Sequence, residues 1–233
     1  MDTEIILEKP ALYVIATPIG NLKDITIRAI ETLKLCDLVL SEDTRKSKIL
    51  FQKYEIHTPL KSFRVHQIND DILFAINQLK DNKALGFITD AGTPGISDPV
   101  SHLIRYIREN YPDIPIIPIP GPSAISTALS ISGWQTNPSL FLGFLSNKST
   151  RRFKTLQKYK DFEGCIIIFE SVHRIYKLIE DIFSIFPERQ ILIAREMTKK
   201  FEDYIILDYE RFSKNKQLFP LKGEFTVIIS PLK

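Results

Sequence analysis

Short runs of β-branched and aromatic residues alternate along the chain with segments in which apolar residues recur at helical spacing. The runs predict strands at 12–16, 38–40, 85–89, 114–119, 140–144, 165–169, 191–194, 204–207 and 225–229. The clearest helical patterns begin near Asn69, near His173 and after Asp98, which can cap a helix that has Pro99 in its first turn. This alternation predicts an α/β fold with largely parallel sheets.

A proline-rich passage lies near the middle of the chain, with prolines at positions 112, 115, 118, 120 and 122. We therefore predict two α/β domains, an N-terminal one at 1–119 and a C-terminal one at 120–233. The N-terminal sheet is expected to be largely parallel. After residue 194 the pattern becomes rich in strands, which predicts a mixed sheet with antiparallel members in the C-terminal domain.

The composition excludes several classes of protein. Of 233 residues, 44% are hydrophobic and 25% are charged, which excludes disordered, collagenous and coiled-coil proteins. Cys36 and Cys165 lie far apart beside apolar runs, so we expect buried free thiols and neither a disulfide framework nor a zinc pair. No apolar run approaches the roughly 20 residues of a membrane helix, and no signal peptide is visible. We expect a soluble cytoplasmic protein without a membrane partner.

Several common chemical motifs are missing from the sequence. It contains no G-x-G fingerprint, no G-x-x-x-x-G-K-[ST] phosphate loop and no G-x-S-x-G nucleophile elbow. Its four histidines do not have the H-E-x-x-H spacing of a zinc site. These absences disfavour nucleotide hydrolysis, and we expect no metal centre.

Three turns rich in glycine and proline follow predicted strands, at 17–22, 90–99 and 120–124. In an open α/β sheet, ligands bind outside the carboxyl ends of the strands. Glycine lets a ligand approach the backbone closely, and proline makes the loop rigid. Each turn taken alone can be a tight strand-to-helix connection, but three in one half of the chain favour a shared ligand site.

Charged clusters also follow predicted strands, at 42–45, 170–174 and 195–199. The first pairs the carboxylates of Glu42 and Asp43 with the cation of Arg45 just before a predicted helix. The alternative is that Asp43 or Thr44 only caps that helix. Charged residues placed repeatedly at strand exits favour one site over scattered solvation.

A basic segment at 146–160 contains no acidic residue. Its cations are Lys148, Arg151, Arg152, Lys154, Lys158 and Lys160. The whole chain has 31 Lys and Arg against 28 Asp and Glu, a net charge of +3, so the remainder is mildly acidic. A second acid-free stretch covers 44–53. Basic stripes of this kind hold phosphate backbones, although one such segment is often only a solvated helix face.

Eight motifs occur in a fixed order between about residues 11 and 229: LYVIATPIGNL, SEDTRKSKILF, TDAGTPGISDP, PIPGPSA, FLGFL, FESVHR, AREMTK and KGEF. With this ordered set the chain resembles the cytidine 2′-O-methyltransferases of small-subunit ribosomal RNA, a branch of the tetrapyrrole methylase superfamily. The resemblance implies two α/β domains of the tetrapyrrole methylase type. It also implies S-adenosyl-L-methionine in a cleft between them, a homodimer, and RNA of the small ribosomal subunit as substrate.

The same resemblance assigns residues to the cofactor, and the basic segment supplies the candidates for the RNA. The cofactor residues are expected to be Gly20, Gly92, Thr93, Pro94, Gly95, Ile96, Ser97, Ser123, Ala124, Phe169 and Arg195, with Asn21 facing the same cleft. The basic stripe expected to hold RNA consists of Lys148, Arg151, Arg152, Lys154 and Lys158.

Methyl transfer to a ribose hydroxyl needs a group that accepts the proton and a cation that orients ribose and phosphate. The candidates for the first role are Glu42, Asp43 and Glu170, and those for the second are Arg45, Arg174 and Arg195. One alternative is a methyltransferase acting on a tetrapyrrole or corrin precursor, which would not need the basic segment. A non-catalytic RNA-binding protein is another, but it does not explain the three strand-end loops.

Overall fold

The computed structural model describes residues 6–215 and 218–232. The structure divides into two compact units, Met1–Ser123 and Ala124–Lys233, which are described separately. The domain boundary that the sequence places between residues 119 and 120 stays a prediction.

The first unit alternates strands with helices. Its elements are β1 (Ala11–Ile15), α1 (Ile27–Leu35), β2 (Leu38–Ser41), α2 (Thr44–Lys53), β3 (Leu60–Ser62), α3 (Ile68–Lys80), β4 (Ala84–Ile88), α4 (Val100–Asn110) and β5 (Ile116–Ile119). The strand order is β3-β2-β4-β1-β5, and every pairing is parallel. The predicted parallel sheet is confirmed, whereas β3 was not among the predicted strands.

Both faces of this sheet are covered, which explains why its strands β1 and β4 are apolar throughout. On β1, Tyr13 and Ile15 join one hydrophobic cluster, which also contains Leu33 of α1. Leu12 joins a second cluster with Leu103 of α4. Strands buried on both faces are typical of parallel α/β sheets.

The start of α4 differs in detail from its prediction. Pro99 occupies the N-cap position and Val100 is the first helical residue, so Pro99 does not lie in the first turn. The carboxylate of Asp98 still accepts from the backbone N–H of Val100, at 3.1 Å. Its other oxygen accepts from the N–H of Gly95 at 2.6 Å, so Asp98 ties the preceding loop to the helix.

The second unit has a mixed sheet. Its elements are α5 (Ala124–Ser130), β6 (Ser139–Phe144), α6 (Ser149–Lys158), β7 (Cys165–Ser171), α7 (Ile175–Ile185), β8 (Ile191–Arg195), β9 (Asp203–Leu207), α8 (Tyr209–Lys214) and β10 (Glu224–Ile229). The order is β6-β7-β10-β8-β9, with β6 and β7 parallel and the other pairs antiparallel. This confirms the predicted mixed sheet.

The main hydrophobic cluster of the second unit lies on one face of its sheet. Leu156 of α6 and Leu178 of α7 pack in one cluster with Ile168 and Val227 of the strands. Cys165 and, in the first unit, Cys36 are buried free thiols, as predicted. Burial raises the pKa of the Cys36 thiol to about 12, so that thiol stays protonated at neutral pH.

Every helix in the part of the chain that the structure describes is too short or too polar to span a membrane. The described residues also contain no group of three or more His, Cys, Asp or Glu side chains that could hold a metal ion.

Candidate active site

The carboxyl ends of β1, β2, β4 and β5 lie at the same edge of the first unit's sheet, because all four strands are parallel. Hydrogen bonds join the loops that leave this edge. Thr17 and Gly92 exchange two backbone hydrogen bonds of 3.0 and 3.1 Å. The hydroxyl of Thr93 donates to the carbonyl of Pro122 at 3.0 Å. The three glycine- and proline-rich turns are therefore brought together.

Glycine is required at two positions of the loop after β4. Gly92 has a φ of +82° and Gly95 a φ of +90°, in the left-handed region that favours glycine. Beyond them, Ile96 and Ser97 are exposed, and Pro94 is buried. The loop thus presents backbone groups and one apolar side chain to solvent from a fixed conformation.

The other expected cofactor residues of this unit have different surroundings. Gly20 is exposed, and Ser123 is half-buried at the end of the unit. Gly121, which precedes Ser123 in the same turn, packs closely against Ala16. A Cβ built on Gly121 would lie only 3.0 Å from the Cβ of Ala16. In the second unit, Ala124 and Phe169 are both half-buried.

Glu42 stands in an acidic environment at the end of β2. The backbone N–H of Asp90 donates to Glu42 Oε2 at 3.4 Å. Burial, to which the negative charges of Asp90 and Asp98 add, raises the pKa of Glu42. A carboxylate with a raised pKa is a stronger base than an ordinary one.

Asp43 has a structural role next to Glu42. It is the N-cap of α2 and accepts from the backbone N–H of Arg45 at 2.9 Å. The Arg45 side chain adds two further bonds, of 3.0 Å from Nε and 2.7 Å from Nη2. These hydrogen bonds from Arg45 lower the pKa of Asp43, so Asp43 is a weak base. Helix capping therefore accounts for Asp43.

Two of the expected residues of the second unit, Glu170 and Arg195, lie at the ends of β7 and β8. Glu170 and Arg195 both pair in register with Phe225 of β10, so their side chains share the core-facing side of the sheet. Glu170 is 1% exposed and Arg195 is 7% exposed. Charged groups this deeply buried are rare unless they are paired or functional.

Arg174 neutralises Glu170 and anchors the chain around it. Its Nη2 lies 2.6 Å from Glu170 Oε1, and its Nη1 donates to the carbonyl of Leu145 at 3.1 Å. Nη1 also donates to Asn147, and the backbone N–H of Ser171 donates to Glu170 Oε1 at 2.7 Å. Arg174 thus links the ends of β6 and β7.

Two buried atoms at these strand ends have no hydrogen-bond partner among the described residues. They are Glu170 Oε2 and Arg195 Nε. Arg195 otherwise donates from Nη1 to the carbonyl of Lys222 at 3.3 Å. Since buried polar atoms are normally satisfied, this unpartnered acceptor and this unpartnered donor are exceptions among the described residues.

The basic segment forms α6 and the residue before it. The exposed cations are Lys148, Arg151, Lys154 and Lys158, together with Lys160 just after the helix. Arg152 does not belong with them, because it is 2% exposed and its Nε donates to Asp181 at 2.6 Å. The expectation that Arg152 contacts RNA is corrected: this residue joins α6 to α7 inside the unit.

Sequence reasoning missed several partners of the site residues. Asp90 forms an ion pair with Lys46, whose Nζ lies 2.6 Å from Asp90 Oδ2, and Asp181 forms one with Arg152. Asn147 and Ser171 complete the bonding of Arg174. Apart from the Ser171–Arg174 bond, these contacts join residues far apart in the chain. Asp90 carried a signal in its place directly after a strand, and Ser171 lies in the charged cluster at 170–174.

Comparisons with known proteins agree with the fold and the motifs. A model of the tetrapyrrole (corrin/porphyrin) methylases matches residues 11–211. The ribosomal RNA small subunit methyltransferase I of Leptospira biflexa is 42% identical over 226 residues, which cover 97% of this chain and 93% of that protein. The Thermotoga maritima protein of the same name is 38% identical over 223 residues, covering 94% of this chain and 97% of that protein.

Solved structures show the same fold at low identity. The methyltransferase CobJ aligns with a TM-score of 0.69 at 16% identity, covering 95% of this chain and 94% of that one. A uroporphyrin-III C-methyltransferase of Thermus thermophilus, complexed with S-adenyl homocysteine, aligns with a TM-score of 0.66 at 12% identity, covering 94% and 97%. The chain belongs to the tetrapyrrole methylases and, within them, to the family of ribosomal RNA small subunit methyltransferase I.

Proposed function

We propose that this protein transfers a methyl group from S-adenosyl-L-methionine to the 2′-hydroxyl of a cytidine ribose in small-subunit ribosomal RNA. The observation that carries the proposal is similarity over nearly the whole chain, 42% in one case, to proteins named for methylation of that RNA. The exposed cations of α6 support an RNA substrate, since they are suited to a phosphate backbone.

The loop after β4 fits the cofactor best among the described residues. Gly92 and Gly95 hold its backbone in a conformation open to close approach, and Ile96 offers an exposed apolar contact. In the second unit, Arg195 Nε and Glu170 Oε2 offer an unused donor and an unused acceptor. When bound, S-adenosyl-L-methionine supplies an electrophilic methyl carbon on a positively charged sulfur.

Glu42 is the group we assign to the proton of the ribose hydroxyl. Its raised pKa makes it a better acceptor than Asp43, whose carboxylate is held by Arg45. In Glu170, Oε1 is engaged by Arg174 and Ser171, which leaves Oε2 to accept a hydrogen bond that orients a ligand. We therefore assign Glu170 to positioning and Glu42 to proton transfer.

The arginines divide between solvent and interior. Arg45 is exposed beside Asp43 and can reach a phosphate of a bound RNA strand. Arg174 is engaged with Glu170 and the carbonyl of Leu145, so it holds the site in place. Orientation of the acceptor hydroxyl, which contributes much of the rate of such a displacement, then depends on groups that are fixed before the substrate binds.

Transfer of tritium from labelled S-adenosyl-L-methionine tests the proposal. The acceptors are small ribosomal subunits that lack the modification, naked small-subunit RNA, and a precorrin-type tetrapyrrole. We expect label in the RNA of the first or second sample and none in the third. Label in the tetrapyrrole alone would overturn the proposal.

A tetrapyrrole or corrin precursor is the second candidate substrate. It is favoured by the solved structures of similar fold, which include a uroporphyrin-III C-methyltransferase. Those structures are 16% identical or less, whereas the relatives named for ribosomal RNA reach 42%. The RNA substrate therefore ranks first.

We also infer a homodimer in the cytoplasm. The dimer is implied by the family resemblance, and a substrate made for the ribosome places the enzyme in the cytoplasm. Sedimentation equilibrium tests the dimer: we expect a mass about twice the 26.8 kDa of one chain, and a mass equal to one chain would contradict it.

A further inference from the structure

Three phenylalanine rings cluster at the carboxyl ends of β6 and β7. The rings of Phe141 and Phe169 have centroids 4.8 Å apart at an angle of 66°, and those of Phe144 and Phe169 have centroids 5.6 Å apart at 61°. Both are edge-to-face arrangements, which stabilise aromatic pairs. Phe169 therefore supports the other two rings from the neighbouring strand.

A β-bulge creates this cluster. Residues three apart on a regular strand face opposite sides of the sheet, so Phe141 and Phe144 would be separated. The register shifts between Phe141 and Gly143, and Phe144 then pairs with Phe169. Gly143 has a φ of +63°, which allows the extra residue, and Leu142 packs instead against the core on the other face. Bulges often redirect a side chain next to a functional site.

Phe144 is exposed although its backbone is fixed. It is 59% exposed, while the next residue, Leu145, is buried. The carbonyl of Leu145 accepts from Arg174 at 3.1 Å, and Asn147 accepts from the same guanidinium. A bulge, a supporting ring and an anchored backbone thus hold the Phe144 ring in an exposed position. An isolated apolar side chain on a protein surface has no such support.

Positive charge follows directly along the chain. Lys148 is exposed four residues after Phe144, and α6 begins at the next residue with Arg151 and Lys154 on its exposed side. An aromatic ring beside a row of cations is the arrangement that binds single-stranded nucleic acid, because the ring stacks on a base and the cations hold phosphates.

We propose that Phe144 is a stacking platform for a nucleobase of the single-stranded RNA substrate, with Phe169 and Phe141 as its support. The inference rests on the proposed RNA methyltransferase function and adds to it the residue that holds a base. Since stacking on an aromatic side chain stabilises by about 1–3 kcal/mol per base, loss of the ring should weaken RNA binding by about 5- to 150-fold.

Three variants test the platform in the tritium assay on small ribosomal subunits. Phe144→Ala removes the ring, Phe144→Tyr keeps it, and Phe201→Ala removes a ring of similar exposure, 63%, elsewhere in the unit. We expect the KM for subunits to rise at least fivefold in Phe144→Ala only, with unchanged calorimetric affinity for S-adenosyl-L-methionine. An unchanged KM in Phe144→Ala, with active wild-type enzyme, would overturn the platform and leave the proposed function standing.

Three other outcomes also overturn the platform. A loss of cofactor affinity in Phe144→Ala that matches the rise in KM would assign the ring to the adenosine of the cofactor. An equal rise in KM in Phe144→Ala and Phe201→Ala would show that loss of any exposed ring has this effect, and not loss of a specific stacking contact. If wild-type enzyme methylates a tetrapyrrole and no RNA, the proposed function fails together with the platform.

Tryptophan fluorescence gives a readout that does not depend on turnover. Trp134 is the single tryptophan of the chain, so Phe144→Trp in a Trp134→Phe background places one fluorophore at the platform. A single-stranded RNA oligonucleotide from the small subunit should quench this fluorescence, and Phe201→Trp in the same background should not respond. No quenching at oligonucleotide concentrations that saturate binding to the enzyme in fluorescence anisotropy would contradict stacking.

Discussion

The two units present different chemistry at the ends of their strands. The first unit exposes mainly backbone groups there. Its strands are parallel, main-chain hydrogen bonds join its loops, and Gly92 and Gly95 have positive φ values. The second offers side chains: the buried charges of Glu170 and Arg195, the exposed ring of Phe144, and a basic helix. Backbone fixed by glycine suits a small ligand that is the same in every turnover. Exposed rings and cations suit a long polyanion.

This difference divides the proposed labour. We expect substitutions in the first unit's glycine loop to change cofactor affinity, and substitutions on the exposed surface of α6 to change RNA affinity. Glu42 is one exception, because it stands in the first unit and is assigned to the chemical step. Glu170 and Arg195 are others, because they stand in the second unit and are offered to the cofactor. The variants below would each break or sharpen this division.

Glu42→Gln has the largest expected effect. It removes the proposed proton acceptor, so kcat should fall by about 10²- to 10⁴-fold while cofactor affinity is unchanged. Because burial raises the pKa of Glu42, its ionised form is unfavourable in the folded protein at neutral pH, and the variant should be as stable as wild type or more so. Single-turnover kinetics and urea unfolding check both points. An unaltered rate would show that Glu42 does not accept the proton.

The pH dependence of kcat sharpens the assignment of Glu42. The base must be ionised, so activity should be lost as pH falls through its raised pKa, which lies above that of an ordinary glutamate. Asp90→Asn removes a negative charge that contributes to this pKa and keeps the backbone N–H that donates to Glu42. The acid limb should move to lower pH in that variant. An acid limb at the same pH in both proteins would exclude Glu42 as the titrating group.

Arg174→Ala should give the largest loss of stability. It leaves Glu170 buried without its cation, which costs about 3 kcal/mol of unfolding free energy. Adding Glu170→Gln should recover part of the loss, because the unpaired charge is then gone. Urea unfolding measures both variants. A loss of unfolding free energy below about 1 kcal/mol in Arg174→Ala would show that solvent screens the Glu170–Arg174 pair. The second unit would then not differ from the first by a buried charge.

Gly92→Ala tests the first unit's loop against a matched control. Gly92 and Gly133 have φ values of +82° and +71°, so alanine is strained at both by roughly 1–2 kcal/mol. Only Gly92 lies in the proposed cofactor loop. Calorimetry should show S-adenosyl-L-methionine binding weakened about 5- to 30-fold in Gly92→Ala and unchanged in Gly133→Ala. Equal affinities for S-adenosyl-L-methionine in the two variants would show that the cofactor does not bind to this loop.

Lys154→Glu should have the smallest effect and the most specific one. The KM for small subunits should rise, and the slope of log KM against log salt should fall by roughly one, because one phosphate contact is lost. Lys34→Glu makes the same charge change on an exposed residue of α1 and serves as the control. The same dependence of KM on salt in both variants would show that α6 is a solvated helix that does not contact the RNA.

Much of the fold could be predicted from local pattern. The strands of the first unit are apolar on both faces and read as continuous runs, so β1, β2 and β4 were predicted to within about a residue at each end. The missed strand, β3, spans only Leu60–Ser62 and contains one apolar residue. Periodicity carries no information in a segment that short, and its pairing with β2 depends on tertiary context.

The site was predictable in its positions more than in its roles. Strand-end location singled out Glu42 in the first unit and Glu170 and Arg195 in the second, because ligands of α/β sheets bind outside the carboxyl ends of strands. Arg152 was misassigned, since helical spacing alone did not reveal its partner Asp181, 29 positions along the chain. The bulge at Gly143 was also invisible, because only the pairing register shows that Phe141 and Phe144 share a face.

Nucleoside mass spectrometry tests the central claim most directly. Small subunits that lack the modification are incubated with the enzyme and S-adenosyl-L-methionine, and their RNA is digested to nucleosides. The account predicts a gain of 2′-O-methylcytidine with wild-type enzyme and little gain with Glu42→Gln in the same time. A methyl group on the cytosine base, on another nucleoside or on no RNA component would contradict it.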